Sequence, residues 1–271
     1  MVKKNIQQKS LEFSLEDIKA RIKGSIGREI LFYDTVDSTN TIAEMLAEKG
    51  KAEGTVIIAD SQVKGRGRLG RSWVSPPGMN IYMSIILRPE IESKDITLVT
   101  IMTAIGCTIA LRKVTGLNVT IKWPNDLIIS KKKIGGILTE VKMAYKRMKY
   151  AITGIGINVN MDSDAFIDEI KDIATSVKIE TGEPCSRAEI CREILNEIDH
   201  WYALLKEMRR NVLLSEWQQL TSTLGREVKI TTGKETFTGF AESINDEGML
   251  IVRLQSGALR LVRSGDLTIV R

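Results

Sequence analysis

Arg66, Arg68 and Arg71 alternate with Gly65, Gly67 and Gly70 in the stretch GRGRLGR. Glycine leaves backbone N–H groups open to a ligand, and each arginine adds a forked, permanently charged donor, so the segment suits a phosphate or another anion. It is not a Walker loop. No Lys-Ser or Lys-Thr follows, and Pro76 and Pro77 discourage the helix that would cap the anion. The glycine density makes the empty loop costly to order, which predicts mobility without ligand and closure over one. Taken alone, the motif also fits a solvated basic turn or an RNA-binding segment, although the latter usually interleaves aromatics and repeats.

Other stretches add polar groups of complementary chemistry. VDSTN, residues 36–40, places Ser38, Thr39 and Asn40 at a helix start, where they either cap the helix or face a polar ligand. KWPNDL, residues 122–127, ends a strand with Lys122 and a turn carrying Asn125 and Asp126, groups that can meet phosphate and Mg²⁺ or simply make the turn. KIGGILTE (133–140) and GIGIN (154–158) put glycines inside strands, which weakens them unless backbone or ligand approaches closely. Ser-His-Asp, Cys-His and H-E-x-x-H chemistries all need a well-placed imidazole, and the single histidine, His200, lies off the apolar stripe of its helix and reads as a solvated helix residue.

The elements that must position these groups follow from periodicity. Residues 14–23 read as a short helix with Ser14 and Asp17 at capping spacing. REILFYDTV, GTVIIADSQ and MNIYMSIIL read as strands, NTIAEMLAEKG as a helix, and residues 95–115 as a long apolar helix. VTIKW, KIGGILTEV and YAITGIGINV are further strands, and a capped helix starts near Ser186 and runs to KEMRRN, with Ile190, Ile194, Ile198, Trp201, Leu205 and Met208 along its apolar stripe. After LTSTLG the pattern becomes short strands separated by Gly, Asn and Asp turns, as expected for a small β-barrel packed on a larger unit. The expected fold class is α+β, a mixed-sheet catalytic domain with a small C-terminal barrel. The expected domains are a short N-terminal helical segment over 1–28, a catalytic domain over 29–222 and a C-terminal domain over 223–271.

Composition narrows the setting. A chain of 271 residues with 43% apolar content can bury a substantial core. No stretch approaches a membrane span on this reading, and three cysteines without a C-x-x-C pair suit a reducing compartment, so a cytoplasmic protein that meets no membrane is expected. Lys and Arg total 39 against 34 Asp and Glu, a net charge of +5, which fits either a nucleic-acid binder or an enzyme with an anionic substrate.

In their order, VDSTN, SQVKGRGRLGRSW, KWPNDL, KIGGILTE and GIGINVN closely resemble the catalytic core of biotin protein ligases, and the β-rich tail resembles that family's SH3-like C-terminal domain. The resemblance covers about residues 30–160 and implies the biotin/lipoate ligase fold of class II synthetase type. It implies that ATP and Mg²⁺ activate biotin to biotinyl-5′-AMP, which then acylates a lysine of a carboxylase carrier domain. By the same resemblance, Ser38, Thr39, Asn40, Gln62, Gly65, Arg66, Gly67, Lys133 and Gly136 bind biotin. Arg68, Trp73, Lys122 and Asn158 meet the nucleotide, with Trp73 shielding the adenylate or else sitting in the core. Gly156 lies where backbone approaches the ligand. Arg68 and Lys133 are the expected catalytic charges, and Asn125 and Asp126 the expected metal-facing pair. Asp266 resembles an acidic position of an acidic-to-arginine pair near ATP, although Arg271 is one residue further along than the family spacing. About 28 residues precede the first core strand, so a ligase without DNA-binding repressor function is expected, and family members often dimerise. A lipoate-protein ligase and a basic nucleic-acid-binding protein are the alternatives.

Overall fold

A computed structural model describes residues 13–145, 147–233 and 235–270. Part of the expected N-terminal segment (1–12) and Arg271 lie outside these described residues.

The chain enters through α1 (Leu15–Lys19), capped by the Ser14 hydroxyl accepting from the Asp17 N–H. The main sheet is built from β1 (Ile30–Val36), β2 (Val56–Gln62), β3 (Ile81–Leu87), β4 (Thr120–Lys122), β5 (Asp126–Ile129), β6 (Lys132–Ala144) and β7 (Arg147–Ile157). Its order is β1-β2-β3-β7-β6-β5-β4; β1 and β2 run parallel and every other neighbour antiparallel. β5 is a strand the sequence reading passed over, because DLII is short and follows directly on the Pro124 turn.

One sheet face is covered by α3 (Ile96–Thr115), α5 (Arg187–Lys206) and α6 (Arg210–Leu220); the small helix α4 (Val177–Thr181) precedes α5. The segment Ser93–Thr115 has the length and composition of a membrane span, contrary to the expectation that no stretch does. Its apolarity has another cause: 72% of the most apolar window is buried, and a helix packed on several sides has no face to give to water. The helix expected to run into KEMRRN breaks at Glu207, and Met208, expected on the apolar stripe, is exposed with φ +56°. Cys107 and Cys191 are buried and Cys185 half-buried, and burial pushes the Cys191 thiol up to about 12.

The opposite face carries α2 (Thr39–Glu48), whose Ala43 and Ala47 pack on Ile57, Ile86, Tyr150 and Ile152. Strand period decides what lies beyond that helix. The row Ile86–Ile152–Glu140 is followed by Ser84–Gly154–Leu138 and then by Tyr82–Gly156–Gly136. Side chains shrink from Ile152 to Gly154 and Gly156 along β7, beside Ser84 on β3 and Gly136 on β6, so the sheet face opens into a cleft where α2 begins.

The C-terminal strands β8 (Arg226–Thr232), β9 (Glu235–Ile244), β10 (Leu250–Arg253), β11 (Leu259–Val262) and β12 (Asp266–Ile269) form an antiparallel sheet in the order β11-β10-β9-β8-β12. Its Val228, Ile230, Leu250, Val252 and Leu267 join the core of the larger unit. Gly248, at φ +75°, shows how close the two lie: a Cβ there would sit 2.5 Å from Ile101 Cδ1.

Candidate active site

The cleft, of ≈ 570 Å³, lies between the α2 end of the sheet, the 63–74 loop and the C-terminal sheet. At its inner end Ser38 is the N-cap residue of α2; its carbonyl accepts from the Ile42 N–H, its hydroxyl makes no capping bond, and the residue lines the cleft. The backbone N–H of Thr39 and its hydroxyl both donate to Gln62 Oε1, at 2.9 and 3.2 Å, while Gln62 Nε2 donates to Ser75 Oγ at 3.0 Å. Ser84, wholly buried, bonds Thr39 Oγ1 and Asn40 Oδ1 at 2.8 and 2.6 Å. The result is a set of fixed donors and acceptors in an otherwise apolar layer, suited to a small neutral heterocycle.

The arginine-glycine loop folds back on itself through the Arg66–Ser72 bridge and the Trp73 N–H bond to Gly65 O. Gly65 is required there, since a Cβ would lie 2.3 Å from the Trp73 carbonyl oxygen. Its arginines diverge. Arg66 pairs with Glu140 at 2.6 Å, and Arg68 donates to Asn125 Oδ1 at 2.8 Å and to the Gly265 carbonyl at 3.3 Å. Arg71 pairs with Asp266. Asp266, expected near a nucleotide with Arg271, therefore faces the loop, and the C-terminal sheet closes one side of the site. Burial draws the Arg68 guanidinium below its ordinary value, opposed by Asp126 and Asp266, yet a guanidinium stays charged at neutral pH.

Beyond the loop, Asp126 sits between two lysines. Its oxygens lie 2.6 Å from Lys133 Nζ and 3.5 Å from Lys122 Nζ. The Trp123–Pro124 bond is cis, and Asn125 is locked in the turn that follows: its Nδ2 donates to Ile137 O at 2.7 Å and its Oδ1 accepts from Arg68. The oxygens of the expected metal-facing pair are thus taken up by Arg68, Lys122 and Lys133, and among the described residues no three His, Cys, Asp or Glu cluster as metal ligands. Trp73 spans the middle of the cleft, with Lys133 Nζ 5.4 Å from its ring centroid. A Cβ at Gly156 would stand 2.6 Å from that ring, and one at Gly136 3.1 Å from Lys133 Cε. Among the described residues no group pairs with the buried Trp73 Nε1. Asn158 lies on the far side of Trp73, in an adjoining cavity of ≈ 720 Å³ with Met161 and Phe166, and donates to Thr175 O at 3.0 Å.

The structure brings the expected residues other than Gly65 to one continuous cleft, with Asn158 in the adjoining cavity; Gly65 is buried against the Trp73 carbonyl and Ser75 and lines neither, and the exposed His200 on α5 lines neither as well. Sequence reasoning missed Ser84, Glu140 and Ser75. Ser84 had a signal, as the one polar residue in the apolar run IYMSIIL; Glu140 and Ser75 had none of their own.

Residues 32–158 match the Biotin/lipoate A/B protein ligase family, and residues 223–267 match the Biotin protein ligase C terminal domain. The bifunctional ligase/repressor BirA of Bacillus spizizenii is 36% identical over 257 residues, covering 94% of this chain and 79% of its own. The biotin--[acetyl-CoA-carboxylase] ligase of Paracoccus denitrificans is 30% identical, covering 82% of this chain and 92% of its own. The biotin protein ligase from Aquifex aeolicus in complex with biotin and ATP superposes with a TM-score of 0.76 at 30% identity, over 90% of this chain and 99% of the other. The Leishmania major biotin protein ligase in complex with biotinyl-5-AMP shares the fold, with a TM-score of 0.60 at 24% identity.

Proposed function

The chain belongs to the biotin protein ligase family, and from that we infer that its cleft activates biotin with ATP and passes the biotinyl group to a lysine of a carboxylase carrier domain. The catalytic domain spans 29–222 and the C-terminal domain 223–271. A carboxylate oxygen of biotin attacks the α-phosphorus of MgATP; the new O–P bond forms as the bond to the β-phosphate breaks, and pyrophosphate leaves. The carrier amine then attacks the acyl carbon, forming the amide as AMP departs with the electrons of the C–O bond and the amine proton passes to water.

Both partners in the first step are anionic, so the protein's task is to neutralise charge and align an in-line attack, with no protein nucleophile. Lys133 and Lys122 provide point charges where the carboxylate and phosphate meet. Asp126 holds the two ammonium groups together until the phosphate enters. Ser38, Thr39 and Gln62 recognise the ureido ring, Asn40 and Gly136 shape its surroundings, and Arg66 and Gly67 lie over the acyl chain, with Gly65 at the close approach of the two loop arms. Trp73 and Asn158 flank the nucleotide base. Mg²⁺ comes in with the nucleotide as substrate, because one carboxylate already shared by two lysines is not a resident magnesium cage.

The observation that supports this reading most is the convergence, in one cleft, of the Thr39–Gln62 polar end with Arg68 and the Lys122–Asp126–Lys133 cluster. It is tested by pyrophosphate release from purified protein with MgATP and biotin, lipoate or no acid. Release with biotin alone is expected, together with a retained biotinyl adenylate seen by mass spectrometry; release with lipoate alone would overturn the substrate assignment.

Arg68 has a separate expected effect. Its guanidinium joins the loop to the Asn125 turn and the Gly265 carbonyl, so Arg68→Gly removes a charge facing the adenylate and a fastening of the loop at once. Biotinyl-5′-AMP should then escape roughly a hundredfold faster, a loss of about 3 kcal/mol for charged hydrogen bonds, and acylate stray lysines. Dissociation of radiolabelled adenylate measures this directly, and a wild-type rate would remove Arg68 from that role.

A further inference from the structure

Glu140 stands at the end of the cleft opposite the lysines, in the row of β6 and β7 where the apolar contacts of α2 stop. One of its oxygens, Oε2, accepts from two donors: Arg66 Nη2 at 2.6 Å and Asn40 Nδ2 at 2.8 Å. Asn40 cannot follow the arginine outward. It is 4% exposed, its amide also donates to Leu138 O at 3.2 Å, and its Oδ1 accepts from Ser84. Ser84 in turn touches Thr39, which holds Gln62. A continuous polar path thus runs from Gln62 at the heterocycle end, through buried residues, to the first arginine of the loop.

We propose that Glu140 is a positioning residue: it ties Arg66 to the buried Asn40–Ser84–Thr39–Gln62 network, holds the loop closed on the α2 side, and thereby sets how long the activated acyl phosphate is retained. The inference rests on the function inferred above. The loop's other arginines are fastened to the Asn125 turn and the C-terminal sheet, and its base is fastened to Val36 and Asp37, so Glu140 is the group that ties the first of its arginines to the α2 side. The carboxylate does not touch the reacting atoms; it acts through Arg66. The pair is partly exposed, with side chains 39% and 38% accessible, so the effect is that of a screened ion pair strengthened by one rigid member.

The test compares wild type, Glu140→Gln, Arg66→Met and the double variant in two measurements. The first is the dissociation rate of preformed biotinyl-5′-AMP, with the KM for ATP as control. The second is the rate at which trypsin cuts the ligand-free loop after Arg68 and Arg71. Glu140→Gln should release adenylate roughly fivefold faster, about 1 kcal/mol, and speed tryptic cutting by a similar factor, with the KM for ATP unchanged. In the Arg66→Met background the same change should add nothing to either rate. Equal effects of Glu140→Gln in both backgrounds would mean general loosening of the fold and would overturn the proposal, as would wild-type rates in the single variant. If wild-type protein formed no adenylate, the ligase reading would fail, while the tryptic measurement would still decide whether Glu140 holds the loop through Arg66. Glu140→Ala provides the same comparison if the glutamine variant folds poorly.

Discussion

Lys133→Ala is expected to slow biotin-dependent pyrophosphate release by about 10²–10³-fold, the cost of removing one preorganised charge from a water-poor site where negative charge accumulates. The fold should barely notice. The backbone of Lys133 remains bonded to Ile173 O and Thr175 N, at 2.7 and 2.9 Å, and Asp126 keeps Lys122 as a counter-charge. Lys133→Arg is not a conservative repair: a planar, forked guanidinium spreads over several atoms the charge that the lysine ammonium delivers as a point 2.6 Å from Asp126. Single-turnover pyrophosphate release, read beside the melting temperature, separates catalysis from folding. A variant that kept wild-type release would take Lys133 out of the mechanism.

The second large effect comes from a residue with no side chain. In Gly154→Ala the new Cβ would fall 2.2 Å from Asn40 Oδ1 and 2.9 Å from Asn40 Cγ. The amide is held by Leu138 O, Glu140 and Ser84 and cannot simply turn away, so the start of α2 must move or the pocket must strain. Overpacking of this kind costs about 2 kcal/mol of stability, and displacement of the helix start that carries Ser38 and Thr39 should lower kcat/KM for biotin. The KM for ATP should change little, because the lysines and Trp73 stand further along the cleft. Adding Asn40→Ser makes room and should recover part of the loss in stability, though not the amide's bonds to Glu140 and Leu138. Unchanged kcat/KM for biotin in Gly154→Ala would show that the helix start is more compliant than its bonds imply.

Much of the site was legible before any coordinates. Arg-Gly alternation suits an anion-binding backbone, and the resemblance to biotin protein ligases implies charge neutralisation, a chemistry that a chain with one histidine can perform. Glycines at 136, 154 and 156 inside strands announced close approach, and in the structure the approaching groups are Lys133, Asn40 and the Trp73 ring. Less was legible where a short element depended on its neighbours. β5 exists because it pairs with β4 and β6, and the membrane-like composition of α3 is explained only by what covers it. Propensity is a local quantity, and these features are set by packing.

From the chain alone came the kinds of groups present, their spacing along each element and the face each element would bury, because periods of 2 and 3.6 residues are properties of a single strand or helix. Partnership between elements was decided by the tertiary structure. Arg66 meets Glu140 across 74 positions, Ser84 meets Asn40 across 44, and Arg71 meets Asp266 across 195. No local pattern encodes such pairs: they arise when sheet order and register bring β3 beside the β6–β7 pair and fold the C-terminal sheet back onto the loop, and the free energy that selects that arrangement is spread over the whole core.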